Sequence, residues 1–187
     1  AHCGGSMSGS FIWSLTLTDI YSTWTECRAV WNKGKHGVCE QIQDIEESII
    51  FDLLGFDCDN GSEFLNYHLL AYFREKKRKN NHFSFTRSRP NKKNDNAHVE
   101  QKNWSHVRSV FGYERLDFPE LVEIMNDYYK NEYSLYKNHF CPAFKIDKKE
   151  RVKSRIKRFY EKPKTPYRRI IESEHVCDEK KHQLVLV

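Results

Sequence analysis

Leu54-Gly55-Phe56-Asp57-Cys58-Asp59-Asn60-Gly61-Ser62-Glu63-Phe64 is the stretch on which the fold turns. It closes an apolar run, Ile49 to Phe56, interrupted only by Asp52 and Gly55. Apolar runs bounded by turn residues read as buried strands. This run ends in carboxylates and an Asn60-Gly61 turn, with Asn60 or Ser62 placed to cap a following helix. A carboxylate at the exit of a buried strand lies on the rim of a sheet, where α/β folds bind ligands. The same residues also suit an ordinary strand-turn-helix joint with solvated acids. Asp57 would share a strand face with Asp59 if the strand continued. Asp59 is preferred because the Asn-Gly turn follows it directly.

Upstream, Phe11, Trp13, Leu15 and Leu17 alternate with other residues at period two, which predicts a strand. Residues 19–23 are a polar turn, and 24–30 form a second strand, so the two pair as a hairpin. Val38, Ile42, Ile45 and Ile49 fall at helical spacing. Downstream, a helix is expected over 62–73, with Phe64, Tyr67, Leu70 and Ala71 inward. A basic loop over 74–79, a short strand over 82–86 and a polar loop over 87–96 follow. A helix over 99–111 uses Val99, Trp104, Val107 and Phe111. Asp117 is placed to cap a long helix with Pro119 in its first turn. That helix runs to about Tyr136, with Leu121, Val122, Met125, Tyr128, Tyr129 and Leu135 inward. The order β-β-α-β-α-β-α is a mixed α/β pattern. A boundary near Cys141-Pro142 divides a core of residues 1–140 from an extension of 141–187.

The chain of 187 residues carries a net charge of +5, unevenly spread. Between Cys141 and Ile171 there are twelve Lys/Arg and three Asp/Glu, a net +9, which leaves −4 for the rest. A mildly acidic body with a basic tail points to a polyanion, most simply nucleic acid. A solubilising tail would have the same composition. The six Cys and nine His are scattered, without a CxxC pair, so neither a zinc finger nor a disulfide framework is indicated. No apolar run has the length of a membrane span. No signal peptide is visible, and the opening without Met reads as a fragment. A cytoplasmic, nucleoid-associated protein with reduced thiols is expected.

Asp59 at a strand exit and Glu100 in the first turn of a helix are two carboxylates from separate elements. Such a pair can hold Mg²⁺, which takes oxygen ligands and keeps positions open for water and phosphate. Two ions together stabilise the attacking and leaving oxygens of an in-line phosphoryl displacement. Nearby Lys and Arg would follow a phosphate backbone. Asp95 and Glu63 read as surface acids, and Asn96 as a cap or solvated residue beside His98. Trp104 reads as core.

Asp59-Asn60-Gly61-Ser62-Glu63-Phe64 resembles the second-aspartate motif of retroviral-integrase-type DDE transposases. Lys93-Asn94-Asp95-Asn96-Ala97-His98-Val99-Glu100-Gln101-Lys102-Asn103 resembles their glutamate motif. Residues 11–30, with Thr18-Asp19 and Trp24, resemble their first hairpin. The resemblance covers about residues 1–140 in the right order. It is closest to bacterial insertion-sequence transposases, including Lys149-Glu150-Arg151-Val152 and Thr165-Pro166-Tyr167 in the tail. It implies a ribonuclease-H-like mixed sheet flanked by helices, with a basic C-terminal extension. It further implies DNA strand cleavage and strand transfer with two Mg²⁺ or Mn²⁺ ions on Asp59 and Glu100, and no small-molecule cofactor. The partners would be transposon ends and target DNA, with the protein a homo-oligomer on DNA and away from membranes. Arg87, Arg89, Lys92, Lys93, Lys102, Lys153, Arg155, Lys157 and Arg158 are the expected DNA contacts.

Two departures stand out. The interval from Asp59 to Glu100 has 40 intervening residues, somewhat longer than the family pattern, and the basic stretch 74–81 would absorb the difference. The family's first aspartate is expected just upstream of Ala1, so the chain alone is expected to bind metal poorly and not to cut DNA. Asp19, the one acid that would replace it, reads as a turn residue. Two other readings remain: a catalytically inactive DNA-binding remnant, and a ribonuclease-H-type nuclease that cuts without joining.

Overall fold

The structure, a computed structural model, describes residues 1–32, 34–58, 67–87 and 104–185. The chain is mixed α/β, with small sheets and helices. It divides into two compact units: Ala1–Thr16 with Cys27–Tyr129, and Leu17–Glu26 with Lys130–Val187.

In the first unit, β1 (Ile12–Thr18) and β2 (Thr25–Trp31) pair as the expected hairpin. β1 buries Ile12 and Leu15, which lie three residues apart and therefore on opposite faces of the strand, while Trp13 and Leu17 of the expected alternating set are only partly covered. β2 is buried from Thr25 to Val30 without a break, although it carries Glu26 and Arg28. Buried charges need partners. Arg28 donates from Nε to Asp44 Oδ2 at 2.6 Å, from NH1 to the Cys27 carbonyl at 2.8 Å, and from NH2 to Ser48 Oγ at 3.1 Å. Asp44 and Ser48 lie on α1 (Lys35–Ser48), whose apolar stripe Val38, Ile42 and Ile45 is buried.

β3 (Gly55–Cys58), α2 (Tyr67–Lys79) and β4 (Ser84–Arg87) follow. β3 and β4 are parallel, with Phe56 opposite Phe85, Asp57 opposite Thr86 and Cys58 opposite Arg87. α2 is the crossover that a parallel pair needs. Phe73 of α2 gathers the cluster, with ring centroids 4.7 Å from Phe56, 5.4 Å from Phe83 and 5.1 Å from Phe85. Gly55 is fixed by the close pairing, because a Cβ there would lie 2.7 Å from Ser84 Oγ and 3.1 Å from its carbonyl oxygen.

Three expectations are corrected here. The strand is shorter than the apolar run, since residues 49–54 form a connection with Leu54 exposed. An apolar run does not by itself distinguish a strand from a partly covered connection. The basic stretch 74–79 is helical, not a loop, because Glu, Lys and Arg are good helix formers and Glu75–Lys79 is an i,i+4 ion pair. Tyr67 points outward; Leu69 and Phe73 are the buried residues of α2.

α3 covers residues 104–111, a π-helical turn Trp104–Arg108 leading into Ser109–Phe111, with His106 and Val107 buried. α4 covers 121–140, beginning as Leu121–Tyr128 and opening into π-helical turns at Tyr129–Tyr133 and Tyr136–Phe140. Asp117 does not cap it; its carboxylate pairs with Arg115 Nε at 2.9 Å. Arg115 also donates to the carbonyls of Cys3, Ser6, Ser8 and Ser10, holding the glycine-rich opening segment in place. In α4 the buried side chains are Met125, Tyr129, Tyr133 and Asn138; Tyr128 and Leu135 are exposed, against expectation. The wider π turns shift the inward face from a strict 3.6-residue period.

The second unit contains the hairpin turn and the tail. β5 (Ile146–Val152) and β6 (Arg155–Tyr160) form an antiparallel ribbon. α5 (Pro166–Ile171) starts with Thr165 Oγ1 accepting from the Arg168 amide at 3.2 Å, and α6 (Asp178–Val185) follows. Arg169 is the buried hub. It donates to Glu161 Oε1 at 2.6 Å, to the carbonyls of Ala143 and Lys164, and to Thr23 Oγ1 in the hairpin turn.

Candidate functional site

The residues expected from the sequence follow β3 and β4 in the chain, and the structure describes those strands up to Cys58 and Arg87. The strands are parallel and in register, so both leave the sheet at the same edge, at the paired residues Cys58 and Arg87. The carboxyl ends of parallel strands are where α/β sheets bind ligands. Asp57 is exposed on this edge, and its Oδ1 accepts from Thr86 Oγ1 across the strands at 2.6 Å. Phe56 and Cys58 face the interior on the alternate positions. Arg87 is exposed at the end of β4. The edge thus carries a hydrogen-bonded carboxylate and a guanidinium, which suits a cation or a phosphate.

Asp59 and Glu100 lie outside the described residues, as do Glu63, Arg89, Lys92, Lys93, Asp95, Asn96, His98 and Lys102. Among the described residues, no three His, Cys, Asp or Glu side chains cluster as a metal site would. The six cysteines are free, and no helix is long and apolar enough to cross a membrane among the described residues.

Asp19 is engaged in the hairpin turn through one carboxylate oxygen. Its Oδ2 accepts from the Ser22 amide and the Ser22 hydroxyl, each at 2.6 Å, while Thr23 takes a φ of 65°. The amide of Asp19 donates to the Trp24 carbonyl at 2.8 Å, closing the turn. A carboxylate held by two donors of its own turn is a structural acceptor.

The expected tail contacts separate. Lys153 occupies the two-residue tip of the ribbon with a φ of 55°, and Arg155, Lys157 and Arg158 lie on β6. All four are exposed. Residues opposite each other in an antiparallel pair share a face. Arg155 and Lys157 therefore share a face with Val152 and Glu150, and Arg158 shares the other face with Lys149.

Sequence reasoning missed two side chains that organise the hairpin. Asn126 Oδ1 accepts from the Ala29 amide at 2.7 Å and its Nδ2 donates to the Ala29 carbonyl at 3.0 Å. Asn138 repeats this on Thr25, at 2.8 and 3.0 Å. Each side-chain amide imitates a neighbouring strand. No periodic signal marks them, because a polar residue in a helix normally faces water. A second missed group is His2, fully buried, whose Nε2 lies 2.8 Å from Ser14 Oγ, itself 2.8 Å from the Tyr129 hydroxyl. Burial first, with a contribution from Arg108, pushes the His2 pKa down to about 4.

No family model matches the chain. The chain is 37% identical over 169 residues to the uncharacterized protein y4rM of Sinorhizobium fredii. The match covers 90% of this chain and 47% of that protein, so the chain spans about half the length of this relative.

Proposed function

We propose that this chain is the catalytic region of a DDE-type transposase or integrase with a ribonuclease-H-like core, acting on DNA by metal-dependent strand cleavage and strand transfer. The observation that carries the reading is the parallel β3–α2–β4 unit, whose two strands end at one edge. The chain therefore leaves the two strands at paired residues, Cys58 and Arg87, and the resemblance assigns the second aspartate and the glutamate to the segments that follow in the sequence. The preceding hairpin, and α1 after it, follow in the order the resemblance requires. Asp59 and Glu100 would hold Mg²⁺, which supplies charge stabilisation for an oxygen attacking phosphorus. The chain's own part is to set two carboxylates on one rim and to offer Arg87 to phosphate. Asp19 is committed to its turn, which supports an upstream aspartate as the third ligand.

The test is a nicking assay on supercoiled plasmid with Mg²⁺ or Mn²⁺, using a chain extended upstream through the implied aspartate. Nicking is expected, and Asp59→Asn or Glu100→Gln should abolish it while leaving the circular dichroism unchanged. Nicking that survives both substitutions would overturn the assignment. A pre-cut DNA end offered to the same protein distinguishes strand transfer from simple hydrolysis.

A further inference from the structure

The β5–β6 ribbon has two chemically different faces, both open to solvent. One carries Lys148, Glu150, Val152, Arg155, Lys157 and Phe159. On it, Lys148 is paired with Glu150 at 2.5 Å, and Lys157 Nζ lies 4.9 Å from the centroid of the Phe159 ring. The other face carries Lys149 opposite Arg158 and Arg151 opposite Ile156. It has three cations, none with an ion-pair partner among the described residues, and the one acid of β5 outside the opposite face is Asp147, the unpaired bulge residue at the far end from the tip. Same-face neighbours along a strand stand about 7 Å apart, and cross-strand neighbours about 5 Å. The result is a compact patch of positive charge, with Ile156 and Tyr160 beside it.

The tip adds a second observation. Lys153 sits in the left-handed region at φ 55°, where a glycine would be free of strain. A lysine kept at a strained hairpin tip puts a further cation at the leading end of the ribbon.

We propose that the face bearing Lys149, Arg151 and Arg158 is the surface through which the tail grips duplex DNA, by phosphate contacts, and that the opposite face is turned away from DNA. This rests on the reading of the chain as a DNA-handling protein. It reassigns the expected contacts: Arg158 stays, Lys149 and Arg151 join it, and Arg155 and Lys157 leave. A two-stranded ribbon is of a size that the major groove admits, and its cations would lie against the phosphates on either side. Charge complementarity favours this occupant over a protein partner, because the three cations cluster at Lys149, Arg151 and Arg158 while the exposed apolar side chains of this face, Ile156 and Tyr160, stand apart on either side of Arg158.

The test measures binding of the full chain to a short duplex of arbitrary sequence by fluorescence anisotropy over a range of salt concentrations. Two triple variants remove the same charge: K149Q/R151Q/R158Q on one face and K148Q/R155Q/K157Q on the other. Each phosphate contact contributes about 0.9 to the slope of log affinity against log salt. The first variant should flatten the slope by about two to three contacts' worth, and the second by less than one. The charge-retaining K149R/R151K/R158K should keep the wild-type slope, which guards against a folding defect. Equal losses from both faces, or a larger loss from the second, would overturn the proposal while leaving DNA binding in place. An absence of binding to any duplex at low salt would instead overturn the functional reading on which it rests.

Discussion

His2 shows how one side chain links burial to pH. Its ring is fully buried, packs edge-on to Phe111 at 5.7 Å and places Nε2 on Ser14, while Nδ1 has no hydrogen-bond partner among the described residues. Such a ring is held neutral, with its pKa lowered from 6.5 to about 4. In the unfolded chain the imidazole takes up a proton at higher pH than in the fold. Between those values the unfolded state binds more protons, so stability is full above about pH 6.5 and falls as the pH drops toward 4. The loss should be of the order of 2–3 kcal/mol across that window. Urea unfolding at pH 7, 5.5 and 4 should show a steeper fall for the wild type than for His2→Gln, which has no proton to gain. Parallel falls would mean that His2 does not titrate on unfolding. Nothing in the sequence marked His2, because a histidine near the start of a chain has no periodic neighbours to place it inside. Asp19, by contrast, was legible: a short acid followed three residues later by Ser22 is the pattern of a side chain bonded to its own turn.

The elements read from the sequence were those with a strong period. α1 buries one repeating set of apolar residues, Val38, Ile42 and Ile45, and that set was visible; β1 and β2 were legible as strands, but their burial does not follow the expected alternation. The parallel strand at Gly55–Cys58 was legible as a strand but not in length, since Ile49, Ile50 and Leu53 are as apolar as any strand residue. α2 ran past its expected end because charge was read as loop, although alternating Glu, Lys and Arg extends a helix; Lys76 and Tyr72 both reach Glu46 on α1. Of the proposed rim site, the described residues bear only on the order of the strand exits, which was legible. The asparagines of α4 were not legible, because a polar residue in a helix normally faces water. Their value is checked by substitution. Asn138→Ala leaves the buried Thr25 amide and carbonyl without partners, and Asn126→Ala does the same to Ala29. Each should cost about 1–3 kcal/mol in chemical unfolding. Asn138→Asp should be nearly as harmful, since a carboxylate accepts from the amide but repels the Thr25 carbonyl. A loss within a few tenths of a kcal/mol in all three would show that these bonds contribute little.

At the scale of the molecule, charge is separated along the chain, with +9 between Cys141 and Ile171 against −4 elsewhere. Phosphate contacts carry no sequence information. Duplexes of unrelated sequence should therefore bind within a few-fold of one another at fixed salt, and affinity should fall steeply as salt rises. A strong preference for one sequence, measured by competition, would place the DNA surface away from the basic ribbon. The asparagine clasps have a consequence for how such a molecule is made. Ala29 waits 97 residues for Asn126, and Thr25 waits 113 for Asn138. At a synthesis rate of about 5–20 residues per second, the outer edge of β2 spends roughly 5–20 s outside the ribosome before its amide partners exist. During that interval the nascent hairpin presents unpaired backbone of the kind that recruits other strands. The growing polypeptide is most exposed to misassembly before α4 is translated, and a chaperone that shields the hairpin over that interval would raise the yield of folded protein.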